Sequence, residues 1–172
     1  VVCHGIPSKK ILGKKDIINI DVTVILDGWY GDTSRMFIVG ETTSIKAKKL
    51  IQITYKSMME GIKKIKPEIN LGDIGYIIEK IANDNNFSIV KDFCGHGVGR
   101  EFHEPPSVLH YGSQGGGLEL KEGMIFTIEP MLNAGTGEVK ILSDGWTAVT
   151  KDRQLSAQFE HSIGVTKNSY EI

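Results

Sequence analysis

Along residues 17–26, IINIDVTVIL, apolar and polar positions alternate. Ile18, Ile20, Val22, Val24 and Leu26 fall on one face, and Asn19, Asp21 and Thr23 on the other, which predicts a strand. Asp27–Gly28 is the strongest short hairpin signal available, and WYGDTSRMFIV reads as the returning strand. A two-residue turn sets the register, so Leu26 opposes Trp29 and Thr23 opposes Asp32. Asp21 and Asp32 then become diagonal neighbours on one face, roughly 7–8 Å apart at Cα. From Ser44 to Lys66 the period becomes helical, with Ala47, Leu50, Ile51, Thr54, Met58, Ile62 and Ile65 on one side and Pro67 expected to end the helix. A second helix is expected from about Gly72 to Asn83, burying Ile74, Ile77, Ile78 and Ile81. Strand character returns in FSIVKDF (87–93), GMIFTIEPM (123–131), EVKIL (138–142), GWTAVTKD (145–152) and LSAQFEHSIGVT (155–166). A strand pair, two helices and several further strands imply an α+β domain, with helices on one face of a largely antiparallel sheet.

Composition narrows the function classes. The 172 residues are 40% hydrophobic and 24% charged with a formal net charge of −1, which describes one soluble globular domain, residues 1–172. The near-neutral balance leaves no basic footprint for nucleic acid. No apolar run approaches the roughly 20 residues of a membrane-spanning helix, so no membrane partner is expected. Cys3 and Cys94 lack zinc or redox spacing and read as free thiols in a reducing compartment. VVCHGIP has neither an initiator Met nor a charged leader, and reads as a chain entered partway through a domain.

The acids carry the chemistry. Glu129 ends IFTIE, on the face of Ile125 and Thr127, and Glu160 lies in SAQFEHS, on the face of Ser156, Gln158 and Ser162. With Asp21 and Asp32 they make four acids at strand positions, more than a solvated sheet face explains. Four carboxylates in one low-dielectric place repel by several kcal/mol per pair unless cations intervene. Two divalent ions would balance them, about 3.5–4 Å apart. DFCGHGVGREFHEPP supplies the nitrogen: His96, held between Gly95 and Gly97, can bring its ring close to metals lying against the backbone. Oxygen-rich ligation with one imidazole suits Mn, Fe or Co better than a structural zinc. These residues point to a di-metal hydrolase.

VCHGIP, NIDVTVILDGWYGDTSRMFIVG, CGHGVGREFHEPP, FTIEPM and DGWTAVTKDRQLSAQFEHSI closely resemble consecutive signatures of type I methionine aminopeptidases, from residue 1 to about residue 166. The resemblance implies the pita-bread (creatinase/aminopeptidase) fold, a curved antiparallel sheet backed by helices, here N-terminally truncated. It implies five metal ligands, Asp21, Asp32, His96, Glu129 and Glu160, holding two divalent ions (Co, Mn, Fe or Zn). It implies that Glu129 also moves protons, that His103 contacts the scissile carbonyl, and that His4 lies near the substrate backbone across the cleft. Phe102 and Trp146 match aromatics lining the methionine pocket. His110 and His161 are expected to serve local hydrogen bonds. The substrate so implied is the N-terminal methionine of nascent polypeptides, removed near the ribosome by a cytoplasmic monomer when the second residue is small. The family carries a further N-terminal segment that supplies pocket residues, and the intact ligand set favours a fragment over a degenerate copy. Two rival readings are a prolidase or Xaa-Pro aminopeptidase, whose long N-terminal domain and wording fit less well, and an inactive or non-catalytic pita-bread protein.

Overall fold

The structure, a computed structural model, describes residues 1–172. The hairpin forms as the alternation requires: β1 (Ile17–Leu26) pairs antiparallel with β2 (Trp29–Ile38), with Leu26 opposite Trp29, Thr23 opposite Asp32 and Asp21 opposite Ser34. Asp27 (φ 51°) and Gly28 (φ 77°) both take the left-handed conformation that a two-residue hairpin turn needs.

Two helices follow. α1 (Ile45–Ile62) starts at Ser44, whose side chain accepts from the Ala47 N–H, and it buries Leu50, Met58 and Ile62. Ile53, not Ile51, joins that buried face. The helix stops at Ile62, five residues short of Pro67. Its last carbonyls are taken up locally by the N–H groups of Lys63, Lys64 and Ile65, so the chain has turned before proline can act. α2 (Leu71–Asp84) begins where the Asp73 carboxylate accepts the Asn70 N–H at 3.1 Å. It buries Ile74 and Ile78 and leaves Ile77 and Ile81 half-buried. One apolar cluster joins both helices to the sheet through Phe126, Ile128 and Ile163.

The remaining strands are β3 (Ser88–Ile89), β4 (Gly95–Gly97), β5 (Glu104–Val108), β6 (Ile125–Ile128), β7 (Met131–Asn133), β8 (Val139–Ile141), β9 (Ala148–Thr150), β10 (Ser156–Gln158), β11 (Glu160–Val165) and β12 (Tyr170–Glu171). All pairings are antiparallel. The main sheet runs β1-β2-β11-β6-β4-β5, with β12 beside β11, and curls into a half-barrel. A second sheet runs β10-β7-β3, and β8 pairs with β9.

Strands β4, β5 and β12 are additions to the elements expected from periodicity. Two expected strands are each divided between the sheets. The 123–131 segment leaves the main sheet at Glu129–Pro130, where proline cannot extend the ladder, and continues as β7 in the second sheet. The 155–166 segment breaks at Phe159 and enters the main sheet at Glu160. Both glutamates thus stand where the chain passes from one sheet to the other. The glycines around His96 serve packing of backbone on backbone. A Cβ on Gly95 would meet the Thr127 carbonyl oxygen at 2.4 Å, and one on Gly97 the Pro105 carbonyl oxygen at 2.2 Å. The apolar side chains of β1 are only partly covered, Val24 and Leu26 being 57% and 74% exposed.

A candidate metal centre

Strand β2 presents Asp32, buried, its Oδ1 accepting the Thr23 hydroxyl at 2.9 Å across the hairpin. The Asp32 backbone is locked to β11, its N–H donating to Ser162 Oγ (2.9 Å) and its carbonyl accepting from the same hydroxyl (2.8 Å). Strand β4 presents His96, whose N–H donates to Thr127 Oγ1 at 3.0 Å. Its Nδ1 lies 3.0 Å from the Gly97 carbonyl oxygen. A carbonyl only accepts, so Nδ1 carries a proton, and in the neutral ring that tautomer leaves the lone pair on Nε2. That lone-pair nitrogen lies 3.5 Å from Glu129 Oε1 and 3.9 Å from Asp32 Oδ2.

Glu129 is held at three points. Its Oε1 accepts from Thr127 Oγ1 (2.9 Å), its Oε2 from Gln158 Nε2 (3.2 Å), and its N–H donates to His110 Nε2 (3.0 Å). Glu160, opposite Ser34 of β2, which in turn faces Asp21 of β1, is buried, and its carboxyl feels the charges of Glu129, Asp32 and Asp21. One donor atom each from Asp32, His96 and Glu160 lies within 4.8 Å of the others. The five sequence candidates therefore converge.

Their electrostatics call for positive charge. No Lys or Arg forms an ion pair with any of the four carboxylates. Burial, and then the charges of the other acids, push the Glu129 and Glu160 carboxyls well above the ordinary range, and Asp21 up in the same direction. The neighbouring Cys3 thiol is pushed up to about 12, first by burial and then by Glu129. Buried acids without cationic partners, beside an imidazole with its lone pair turned inward, form an oxygen-rich donor set with one nitrogen. Divalent cations fit that set.

Aromatic–imidazole pairs border the cluster. The His103 ring lies 4.3 Å from that of His96 and 3.9 Å from that of Phe102, and Phe102 stacks on Tyr30 at 5.7 Å. Burial and then the nearby His96 hold the His103 imidazole below its ordinary pKa. His4 lies flat against Trp146, with centroids 4.0 Å apart at 21°, and edge-on to Phe93. His161 stays local, its Nδ1 3.4 Å from Thr33 Oγ1. His110 is fully buried, and desolvation pushes its imidazole down to about 3. Periodicity did not single out the supporting residues Thr127, Gln158, Thr23 and Ser162. The available signal was parity, since Thr127 shares a strand face with Glu129, Gln158 and Ser162 with Glu160, and Thr23 with Asp21.

Residues 1–167 match metallopeptidase family M24. The chain belongs to this family. Among M24 relatives, it is 62% identical to the methionine aminopeptidase of Rickettsia prowazekii, over the whole of this chain and 66% of that protein. The chain therefore spans just under two thirds of that relative's length. The crystal structure of methionine aminopeptidase from Rickettsia prowazekii superposes with a TM-score of 0.97 at 60% identity, covering 99% of this chain and 69% of that one. The Thermotoga maritima methionine aminopeptidase structure gives 0.95 at 43% identity, covering 98% and 68%. The curled antiparallel half-barrel with its two helices is the pita-bread fold of M24 proteins. No helix is long and apolar enough to cross a membrane.

Proposed function

We propose that residues 1–172 form one catalytic domain of a di-metal aminopeptidase that removes N-terminal methionine from peptides and nascent proteins whose second residue is small. The observation that carries this reading is the convergence of three buried acids, Asp32, Glu129 and Glu160, on the His96 imidazole, with Asp21 at the exposed rim and no Lys or Arg paired to any of them. The likeness to methionine aminopeptidases over the whole chain supplies the substrate.

Asp21, Asp32, His96, Glu129 and Glu160 would hold the ions, which when bound supply the positive charge that lets a water act as nucleophile near neutral pH. Glu129, beside the water so activated, takes up the proton given off and returns it to the leaving amine. Thr127 and Gln158 keep both its oxygens aimed during the transfer. His103 donates a hydrogen bond to the scissile carbonyl oxygen as negative charge grows there, the kind of donor whose loss costs about 2.7–4 kcal/mol in the transition state. His4 orients the substrate backbone, and Phe102 and Trp146 line the methionine side chain's pocket. The free thiols Cys3 and Cys94 fit a reducing, cytoplasmic setting.

The test uses the gene-encoded protein, stripped with a chelator and reloaded with Mn, Fe, Co or Zn. Free methionine should appear from Met-Gly and Met-Ala peptides only after reloading, and little from peptides with a bulky second residue. Undiminished turnover by stripped protein, or no methionine release with any ion, overturns the proposal.

A further inference from the structure

We propose that His110 is a positioning residue for Glu129, fixing through its backbone the carboxylate offered to the metal centre. The inference rests on the reading of Glu129 as a metal ligand. Glu129 stands just past the end of β6, where the main sheet's ladder stops, and Pro130 after it has no N–H to give. The Glu129 N–H is thus the last donor at the corner, and it is buried. His110 Nε2 accepts it at 3.0 Å. The imidazole itself is 1% exposed, so its ring has no freedom to lend this acceptor elsewhere.

The loop that carries His110 is in turn pressed by α2. A Cβ on Gly75 of that helix would come within 2.7 Å of the Leu109 carbonyl oxygen and 2.5 Å of the Tyr111 carbonyl oxygen, the two residues flanking His110. On the same loop, Lys91 Nζ sits 4.7 Å over the Tyr111 ring while ion-paired to Glu79 of α2. A continuous contact therefore runs from α2 through Leu109–Tyr111 and His110 to the Glu129 backbone. From there Thr127 and Gln158 hold the carboxylate. Helix and ligand are mechanically joined, with no substrate contact by His110.

Calorimetric titration of chelator-stripped protein with Mn²⁺ alone tests this without reference to turnover. His110→Leu removes the acceptor at similar bulk and should weaken Mn²⁺ affinity about 10- to 100-fold, the usual cost of losing a group that orients a ligand. His110→Gln carries its acceptor oxygen as many bonds from the backbone as Nε2, and should restore most of the loss. Ile62→Val, a core change in α1, should lower thermal stability and leave the Mn²⁺ affinity unchanged. If His110→Leu is too unstable to purify, Gly75→Ala displaces the same loop from the helix side and should weaken Mn²⁺ binding in parallel. Unchanged affinity in His110→Leu, or in Gly75→Ala where that variant decides, overturns the inference. So does His110→Gln binding as poorly as His110→Leu. Wild-type protein that takes up no metal ion instead overturns the proposed function.

Discussion

The rings of His96 and His103 lie 4.3 Å apart at 64°, yet only His96 turns a nitrogen toward Glu129 and Asp32. Two imidazoles seven residues apart thus meet the same cleft in different ways. His96→Ala should lower metal occupancy and activity together. His103→Ala should keep its metals and lose roughly 10²–10³ in kcat, the scale of one lost oxyanion donor. Metal analysis beside steady-state kinetics separates the two, and equal metal loss in both variants contradicts the division.

How far this arrangement was readable before the fold depends on which contacts made it. The hairpin was readable because Asp27–Gly28 permits one register, and that register puts Asp21 and Asp32 on one face. Glu129 and Glu160 stood out because alternation exposes an acid among apolar neighbours. Strands β4 and β5 were not readable. GHG and EPPSV have poor strand propensity, and their pairing exists because bare glycines admit the Thr127 and Pro105 carbonyls. Such an approach is a property of the partner strands, invisible in a local window. His4, His103, Phe102 and Trp146 came only from the family resemblance, since a loop aromatic carries no periodic signature. The sequence predicts only a local hydrogen bond for His110, whereas its bond crosses nineteen residues to Glu129, a contact no local window contains.

Metal uptake should release protons. With no cation bound, burial and mutual repulsion hold the Glu129 and Glu160 carboxyls above their ordinary value of 4.5. The folded chain then binds more protons than the unfolded one, so ν_U − ν_N is negative and stripped-protein stability falls as pH rises from about 4.5 through the neutral range. Cations that take the ionised carboxylates remove this penalty and displace the protons. Titrations in two buffers of different protonation enthalpy should show net release at pH 7, and thermal melts of stripped protein should be higher at pH 5 than at pH 8. Zero release in both buffers would falsify the assignment of raised carboxyls to this centre.

The uncovered side of β1 has a physical consequence for these 172 residues expressed alone. β1 ends the main sheet with one edge unpaired, and Ile20, Val22, Val24 and Leu26 on its apolar face are each about half exposed or more. Such an edge invites pairing with other chains, and apolar surface left in water costs about 25 cal/mol per Å². The isolated chain should bind a hydrophobic dye and sediment as associated species. Placing a charge on the strand with Val24→Lys should shift it toward monomer. A monodisperse, dye-silent wild-type chain would contradict this.

The placement of Trp146, proposed to line the methionine pocket, depends on an exposed acid. Asp144 Oδ1 accepts the N–H groups of Trp146 (2.9 Å) and Thr147 (2.8 Å), and its Oδ2 accepts the Thr147 hydroxyl at 2.6 Å. These bonds pin the turn that lays Trp146 flat against His4, although the indole itself is 53% exposed. Asp144→Ala should free the turn and lower kcat/KM for methionine peptides about tenfold, the lower end of what one misplaced apolar contact costs in discrimination. Asp144→Asn keeps the Oδ1 acceptor but cannot accept the Thr147 hydroxyl at Nδ2, so its loss should be smaller. The same bonds, led by the Thr147 hydroxyl, hold the Asp144 carboxyl below its ordinary 3.8. Its contribution is therefore full above that value and is lost as pH falls below it, through the lowered folded-state pKa. In a Trp29→Phe background the remaining indole reports this directly. Its emission should be steady at neutral pH and change on acidification below about pH 3.8, and Asp144→Ala should show the acid-like emission at pH 7. An indole signal unmoved by Asp144→Ala would mean that packing against His4 and Phe93 holds Trp146 without the turn.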